Sequence, residues 1–263
     1  MNLCISPLFS SSSGNATYIG TESSGILIDA GLSGSAIISA LSGIDKKPTD
    51  LSGILVTHEH IDHIKGIGVL SRKYDIPVFA NAETWEQIES KLGSISLKNI
   101  RIIDDGEFFI RDMMITPIPL SHDAANPTGY AVSAHSKKVA VMTDSGKVTP
   151  QMFERAAGSN ILLLESNHDV NMLKCGKYPY QLKARILSNK GHLSNADSGK
   201  AAAELIARGV RGILLGHLSK ENNFDELAYR TVYDTLISEG IVPGRDAALA
   251  VAKKNEVTGC FEL

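Results

Sequence analysis

The segment Thr57-His58-Glu59-His60-Ile61-Asp62-His63 gathers three imidazoles and a carboxylate immediately after the apolar run at 53–56. Along an extended backbone, side chains two residues apart share a face, so His58 and His60 point the same way as the chain leaves a strand. Asp62 and His63 then fall at the start of a helix. One short stretch thus offers two groups of ligands. The nitrogen-rich donor set suits zinc, and manganese or iron also, better than magnesium or calcium, which favour all-oxygen shells. The bland alternative is a helix start capped by Asp62 with histidines on the surface.

The elements that must position these residues follow from apolar periodicity and turn residues. Strands are expected at 3–9, 18–19, 26–29, 53–56, 77–80, 100–103, 107–110, 113–117, 161–166, 212–215 and 248–251. A hairpin pairs 130–135 with 138–142 across Ser136-Lys137. Helices are expected at 33–41, 62–73, 82–91, 150–157, 180–188, 195–207 and 225–238. No repeat or low-complexity linker interrupts the 263 residues, so a single domain is expected. Strands interleaved with helices in both halves fit two sheets packed face to face with helices outside.

Composition narrows the function. The net charge of −3 advertises no global basic field, so contact with a polyanion must come from local clusters or bound metal. Cys4, Cys175 and Cys260 are scattered and odd in number, which argues against a disulfide framework and for a reducing cytoplasm. The first residues lack the pattern of a secretion signal. No apolar run reaches the length of a membrane span.

The motif His58-x-His60-x-Asp62-His63 resembles the signature of the metallo-β-lactamase superfamily, and the remaining family motifs follow in order. Asp29 ends the strand in Ile28-Asp29-Ala30-Gly31. His122 stands in Leu120-Ser121-His122-Asp123, Asp144 in Val141-Met142-Thr143-Asp144-Ser145-Gly146, and His217 in Leu214-Leu215-Gly216-His217-Leu218-Ser219. The resemblance implies a four-layer αββα sandwich of two mixed β-sheets flanked by helices. It places His58, His60 and His122 on one divalent ion, Asp62, His63 and His217 on a second, and Asp144 between them. Asp29 is expected to support a ligand imidazole, as metal-bound histidines require. Two adjacent cations favour hydrolysis.

Four further segments resemble the YycJ/WalJ-like metallo-hydrolases, a group related to the superfamily's nuclease branch: Ser10-Ser11-Ser12-Ser13-Gly14-Asn15-Ala16, Leu164-Glu165-Ser166-Asn167-His168-Asp169, Gly191-His192-Leu193-Ser194-Asn195 and Gly216-His217-Leu218-Ser219-Lys220-Glu221-Asn222-Asn223. The spacing from Asp144 to His217 leaves no room for the large β-CASP insertion of RNase J-type enzymes, and no Gly/Pro-rich tRNA-binding arm is present. Ser11, Ser12, Gly14 and Asn15 can offer a phosphate hydroxyl and N–H donors, or form a plain turn. His192 resembles a phosphate-contacting histidine and His168 a helper histidine able to protonate a leaving oxygen; both also suit structural roles. Ser219 and Asn222 are expected to shape the substrate side or to cap a helix. Lys183, Arg185, Lys190 and Lys200 make either a basic rim near His192 or ordinary solvated charges. His135 and Trp85 read as structural.

The expected activity is a metal-dependent phosphodiesterase on nucleic acid, most resembling a 5′-to-3′ DNA exonuclease, with Asp62, Asp144, His168 and His192 in the chemistry. The rivals are a small-molecule ester, lactone or thioester hydrolase on the same site, RNase Z-like RNA processing, and a non-catalytic binding module.

Overall fold

The computed structural model describes residues 2–263. Period-2 burial builds its two central layers. In β1 (Cys4–Ser11) Ile5 packs between the sheets while Cys4 and Leu8 face helices. In β3 (Gly25–Ile28) Ile26 and Ile28 face the other sheet and Leu27 the helices. The second half repeats the pattern in β10 (Lys137–Met142), where Val139 and Val141 point between the sheets and Ala140 and Met142 toward the opposite helical layer. Strands with apolar side chains on both faces must be covered on both sides, and three apolar clusters result.

β2 (Gly14–Gly20), β4 (Leu51–Leu55), β5 (Val78–Asn81), β6 (Ile100–Ile103) and β14 (Phe261–Glu262) complete the first sheet, ordered β14-β1-β2-β3-β4-β5-β6. The second joins β10 to β7 (Phe108–Ile110), β8 (Met113–Pro119), β9 (Thr128–Ala134), β11 (Ile161–Glu165), β12 (Gly212–Gly216) and β13 (Ala248–Val251), ordered β13-β12-β11-β10-β9-β8-β7. In each, antiparallel strands lead into a parallel run: β3-β4-β5-β6 in one and β10-β11-β12-β13 in the other. Helices α1 (Gly34–Ser42), α3 (Ile67–Tyr74) and α4 (Ala82–Leu92) cover the first sheet. α5 (Pro150–Ala156), α8 (Asn195–Ala207) and α9 (Asp225–Ser238) cover the second. The outcome is the expected four-layer αββα sandwich.

Several elements depart from the sequence expectation. The helix expected at 62–73 is broken into α2 (Ile61–Ile64) and α3 at Lys65-Gly66. There the backbone presses on the β3–α1 connection: Gly66 N donates to Ala30 O at 2.7 Å, and a Cβ on Gly66 would lie 2.4 Å from Leu32 O. The serine-rich segment after the first strand is a hairpin in which Ser11 pairs with Gly14, so only Ser12-Ser13 turn. The β9–β10 turn falls one residue earlier than expected, at His135-Ser136, both with positive φ (49° and 65°), the geometry that matches strand twist in tight hairpins. Two short helices, α6 (Val170–Cys175) and α7 (Tyr180–Ile186), join β11 to α8; the sequence pattern predicts only the second. Among the described residues, no helix is long and apolar enough to cross a membrane.

Candidate metal centre

The carboxyl ends of the parallel strands from both sheets meet at one edge of the sandwich, and the chain turns sharply there. Asp29 follows β3, Thr57–His63 follow β4, Asp144 follows β10, and His217 follows β12. Asp29, Asp144 and His217 all hold left-handed φ values of 62°, 62° and 54°, a conformation uncommon outside glycine and concentrated at functional sites. His122 arrives on the β8–β9 loop, which is tied to the opposite side by Ser121 Oγ donating to Asn189 O at 2.8 Å.

Possible ligand atoms fall within 4.8 Å of one another in overlapping groups: His58, His60 and His122; Asp62, His63 and His217; His58, His63 and Asp144; and Asp144, Glu165, His192 and His217. The structure thus brings together all seven ligands expected from sequence, with Asp144 among histidines of both sets.

The tautomers are set from behind. His63 Nδ1 donates to Asp29 Oδ2 at 2.7 Å. Thr57 donates to the same carboxylate through N–H (2.9 Å) and Oγ1 (2.8 Å), leaving its hydroxyl oxygen to accept from His58 Nδ1 at 2.9 Å. Asp29 therefore orients His63 directly and His58 through Thr57. His122 Nδ1 donates to Gly191 O at 3.0 Å, and His217 Nδ1 to Glu165 Oε1 at 2.8 Å. With Nδ1 engaged, each Nε2 keeps its lone pair for a metal.

His122 Nε2, His217 Nε2 and Asp144 Oδ2 are buried without a hydrogen-bond partner. Such groups are costly to bury unmatched, and a pair of divalent cations would satisfy all three. The donor set therefore fits divalent metal. Burial alone would raise the pKa of Asp144, but His217 and His63 outweigh it and hold the carboxylate well below the usual range, in the ionised state that a metal requires.

Glu165, the last residue of β11, is fully buried, and sequence reasoning assigned it no role. Its Oε1 lies 2.8 Å from both His192 Nδ1 and His217 Nδ1, and its Oε2 accepts from Ser145 N (2.9 Å) and Leu193 N (3.1 Å). Burial pushes its pKa up, but His192 and the hydrogen bonds from both rings pull it down to about 2. Reciprocally, burial lowers His192 but Glu165, followed by Asp144, raises it to about 9. The legible signal was an acidic residue closing the apolar strand Ile161-Leu162-Leu163-Leu164, the same signal that marked Asp29. Thr57 and Ser10, which accepts from His217 N at 2.8 Å, carried no comparable signal.

His192 is 17% exposed at its side chain and lies against His122 and His217, with ring centroids 5.0 and 5.3 Å apart. His168 is 1% exposed, outside every ligand group, and neither ring nitrogen has a partner. Burial, its largest influence, lowers it to about 4. Asn15 reaches the centre, its Nδ2 3.1 Å from His63 Nε2. Ser11 is buried in the hairpin, where its Oγ accepts from Ser13 N at 3.2 Å, and Ser12 is exposed at the turn. Gly14 sits in β2. Ser219 and Asn222 are turned inward and bond each other, Asn222 N to Ser219 Oγ at 3.2 Å; their side chains brace the loop after β12. His135 lies away from this edge, 3.5 Å from Asp112.

Comparison with known proteins agrees with this geometry. Residues 25–217 match the family described as the beta-lactamase superfamily domain. The chain is 44% identical to exodeoxyribonuclease YycJ of Bacillus anthracis over 93% of each protein. It is 42% identical to exodeoxyribonuclease WalJ of Streptococcus pneumoniae serotype 2 (strain D39 / NCTC 7466), over 97% of this chain and 96% of that one. The crystal structure of the metallo-β-lactamase fold protein YhfI from Bacillus subtilis superimposes with a TM-score of 0.73 over 100% of both chains at 18% identity, a likeness of fold alone. The chain belongs to the β-lactamase superfamily of metal-dependent hydrolases, in the group that contains YycJ and WalJ.

Proposed function

We propose that this protein is a nuclease that shortens DNA from the 5′ end, using two divalent cations, zinc first among the candidates. The observation that carries this is the convergence of all seven expected ligands at one edge of a chain more than 40% identical, over nearly its whole length, to two exodeoxyribonucleases. His58, His60 and His122 would hold one cation, Asp62, His63 and His217 the other, with Asp144 between. Bound there, such ions supply Lewis acidity and bring the pKa of water toward neutrality.

The chain's own residues do the remaining work. Asp29, Thr57 and Glu165 hold ligand rings in fixed orientations, so little reorganisation is required during reaction. Asn15, whose Nδ2 donates to Ser11 O at 3.0 Å and lies 3.1 Å from His63 Nε2, ties the β1–β2 hairpin to the ligand turn. His192, with Nδ1 engaged by Glu165, stands at the partly exposed side of the cluster and would pass a proton from Nε2 to the leaving oxygen. His168 is assigned no proton transfer, because its ring is buried and lies outside every ligand group. Residues 1–263 act as one catalytic domain, since the ligands come from both sheets. The three free thiols, Cys4, Cys175 and Cys260, favour the cytoplasm as its compartment.

The test is digestion of 5′- and 3′-end-labelled single- and double-stranded DNA by the metal-replete protein, with RNA, lactone and thioester substrates in parallel. Release of mononucleotides from the 5′ end is expected, with none from Asp144→Ala. Attack from the 3′ end alone, preference for RNA or an ester, or full turnover by that variant would overturn the assignment.

A further inference from the structure

Between Asp169 and Asp197 the chain carries Lys174, Lys177, Lys183, Arg185 and Lys190 and no acidic residue, although the protein as a whole is net −3. The short helices α6 and α7 occupy this stretch, and each fully buries only one side chain, Leu173 and Ile186. Two buried side chains contribute little to a core of this size, so the arm is not explained by folding.

Both ends of the arm are fastened to the metal centre. At one end Asp169 N donates to Asn222 O at 2.9 Å, in the loop that follows His217. At the other, His192 N donates to Ile186 O at 3.0 Å, and Gly191 O holds His122 Nδ1. Lys183 is used internally, its Nζ donating to Lys174 O (2.8 Å) and Gly176 O (2.6 Å). Arg185 is bonded to Asp123, whose second oxygen faces His122 Nε2 at 3.3 Å.

Lys174, Lys177 and Lys190 are exposed, and no ion pair among the described residues includes them. Solvated helix faces usually intersperse carboxylates among such charges; this one does not. Among them Tyr180 stands 84% exposed, a large ring left in water beside unpaired cations. Unpaired cations with an exposed aromatic ring are the combination that holds single-stranded nucleic acid.

We infer that the arm spanning residues 170–190 is a docking surface for single-stranded DNA entering or leaving the metal centre. Lys174, Lys177 and Lys190 contact backbone phosphates and Tyr180 stacks on a base. This rests on the nuclease reading above.

The test uses the full-length, metal-loaded protein and two variants, Tyr180→Ala and Lys174→Gln/Lys177→Gln/Lys190→Gln. Binding is read by fluorescence anisotropy on a 3′-labelled oligothymidylate with phosphorothioate linkages. Turnover is read on an ordinary oligonucleotide and on bis(p-nitrophenyl) phosphate, which is too small to reach the arm. The triple variant should flatten the slope of log Kd against log salt by about 2. Tyr180→Ala should weaken binding roughly five- to a hundredfold. Both should raise KM for the oligonucleotide and leave bis(p-nitrophenyl) phosphate turnover unchanged. A control, Lys47→Gln/Lys73→Gln, removes charge near the amino ends of β4 and β5, the pole away from the metals, and should change nothing. Unchanged affinity and salt slope in both arm variants would overturn the inference, as would equal loss in the control. Tight, arm-dependent binding without hydrolysis of any oligonucleotide would refute the nuclease reading and leave the docking surface in place.

Discussion

The carboxylate of Glu165 lies 2.8 Å from Nδ1 of His192, and the same oxygen lies 2.8 Å from Nδ1 of His217. One buried group thus fixes the orientation of a metal ligand and of the histidine proposed to move a proton. Glu165→Gln keeps the shape but removes the charge, so His217 loses its anionic support and His192 its bound proton. Activity should fall about 10- to 100-fold, accompanied by a measurable drop in bound metal. Normal metal stoichiometry with normal kcat would show that Glu165 only fills space.

His192 and His168 are distinguished by the leaving group. A proton donor matters when the departing oxygen is basic and matters little when it is a p-nitrophenolate. His192→Gln should therefore lower kcat on DNA by about 10²- to 10⁴-fold, with a far smaller effect on bis(p-nitrophenyl) phosphate. His168→Gln should lower the thermal midpoint and leave the ratio of the two activities unchanged. An equal loss on both substrates for His192→Gln would refute proton donation.

Metal removal should be visible in stability as well as activity. Cations that bind only the folded chain contribute about 2.7 kcal/mol at a hundredfold excess over Kd, worth roughly 5–10 °C in Tm for a chain of this length. A chelator should lower Tm by that amount and zinc should restore it. Asp144→Ala should leave the far-ultraviolet spectrum intact while abolishing the chelator's effect. A chelator-insensitive Tm in the wild type would argue against metals at the His/Asp cluster.

Much of this centre was legible because it is local. His58, His60, Asp62 and His63 lie on one turn, and Asp29, Asp144 and His217 each close an apolar strand. The sheets were legible for the same reason, since burial alternates along β1, β3 and β10. What escaped was set by contacts distant in sequence. Thr57 matters because Asp29 lies beside it across β3–β4. Ser10 matters because it meets His217, and Glu165 because two histidines converge on it. The break at Gly66 is imposed by Ala30 and Leu32, and the pairing of Ser11 with Gly14 makes the serine-rich segment a plain turn, one of the two readings its sequence allows. The inward turn of Ser219 and Asn222 likewise depends on tertiary packing, which spacing does not encode.

Asp112 gives a pH dependence remote from the metals. Burial raises its pKa, but hydrogen bonds from Ser24, Thr21 and Ser23 outweigh it and hold the group at about 2, against an ordinary 3.8. Because the folded value is the lower one, its stabilisation is present above about pH 4 and is lost as pH falls toward 2. The carboxylate is partly exposed and screened, so the effect is about 1 kcal/mol. In urea unfolding, the difference between wild type and Asp112→Asn should be constant at neutral pH and close between pH 4 and 2. A difference that persists at pH 2 would mean that the charge of Asp112 is not what stabilises this corner.

Gly31 links the fold most tightly to the chemistry. A Cβ at this position would lie 1.6 Å from Asp62 O and 2.8 Å from Asn15 N, and Gly31 N already donates to Asn15 O at 2.8 Å. The contact is with backbone, so no side-chain rotation relieves it. Gly31→Ala must push the Asp62–His63 turn away from β2, at a cost of about 3 kcal/mol and with displacement of two expected ligands and of Asn15. The thermal midpoint and the metal content should fall together, and added zinc should recover little of the activity. Full metal occupancy at a lowered Tm would show instead that the ligand turn tolerates the shift, and that the glycine serves packing alone.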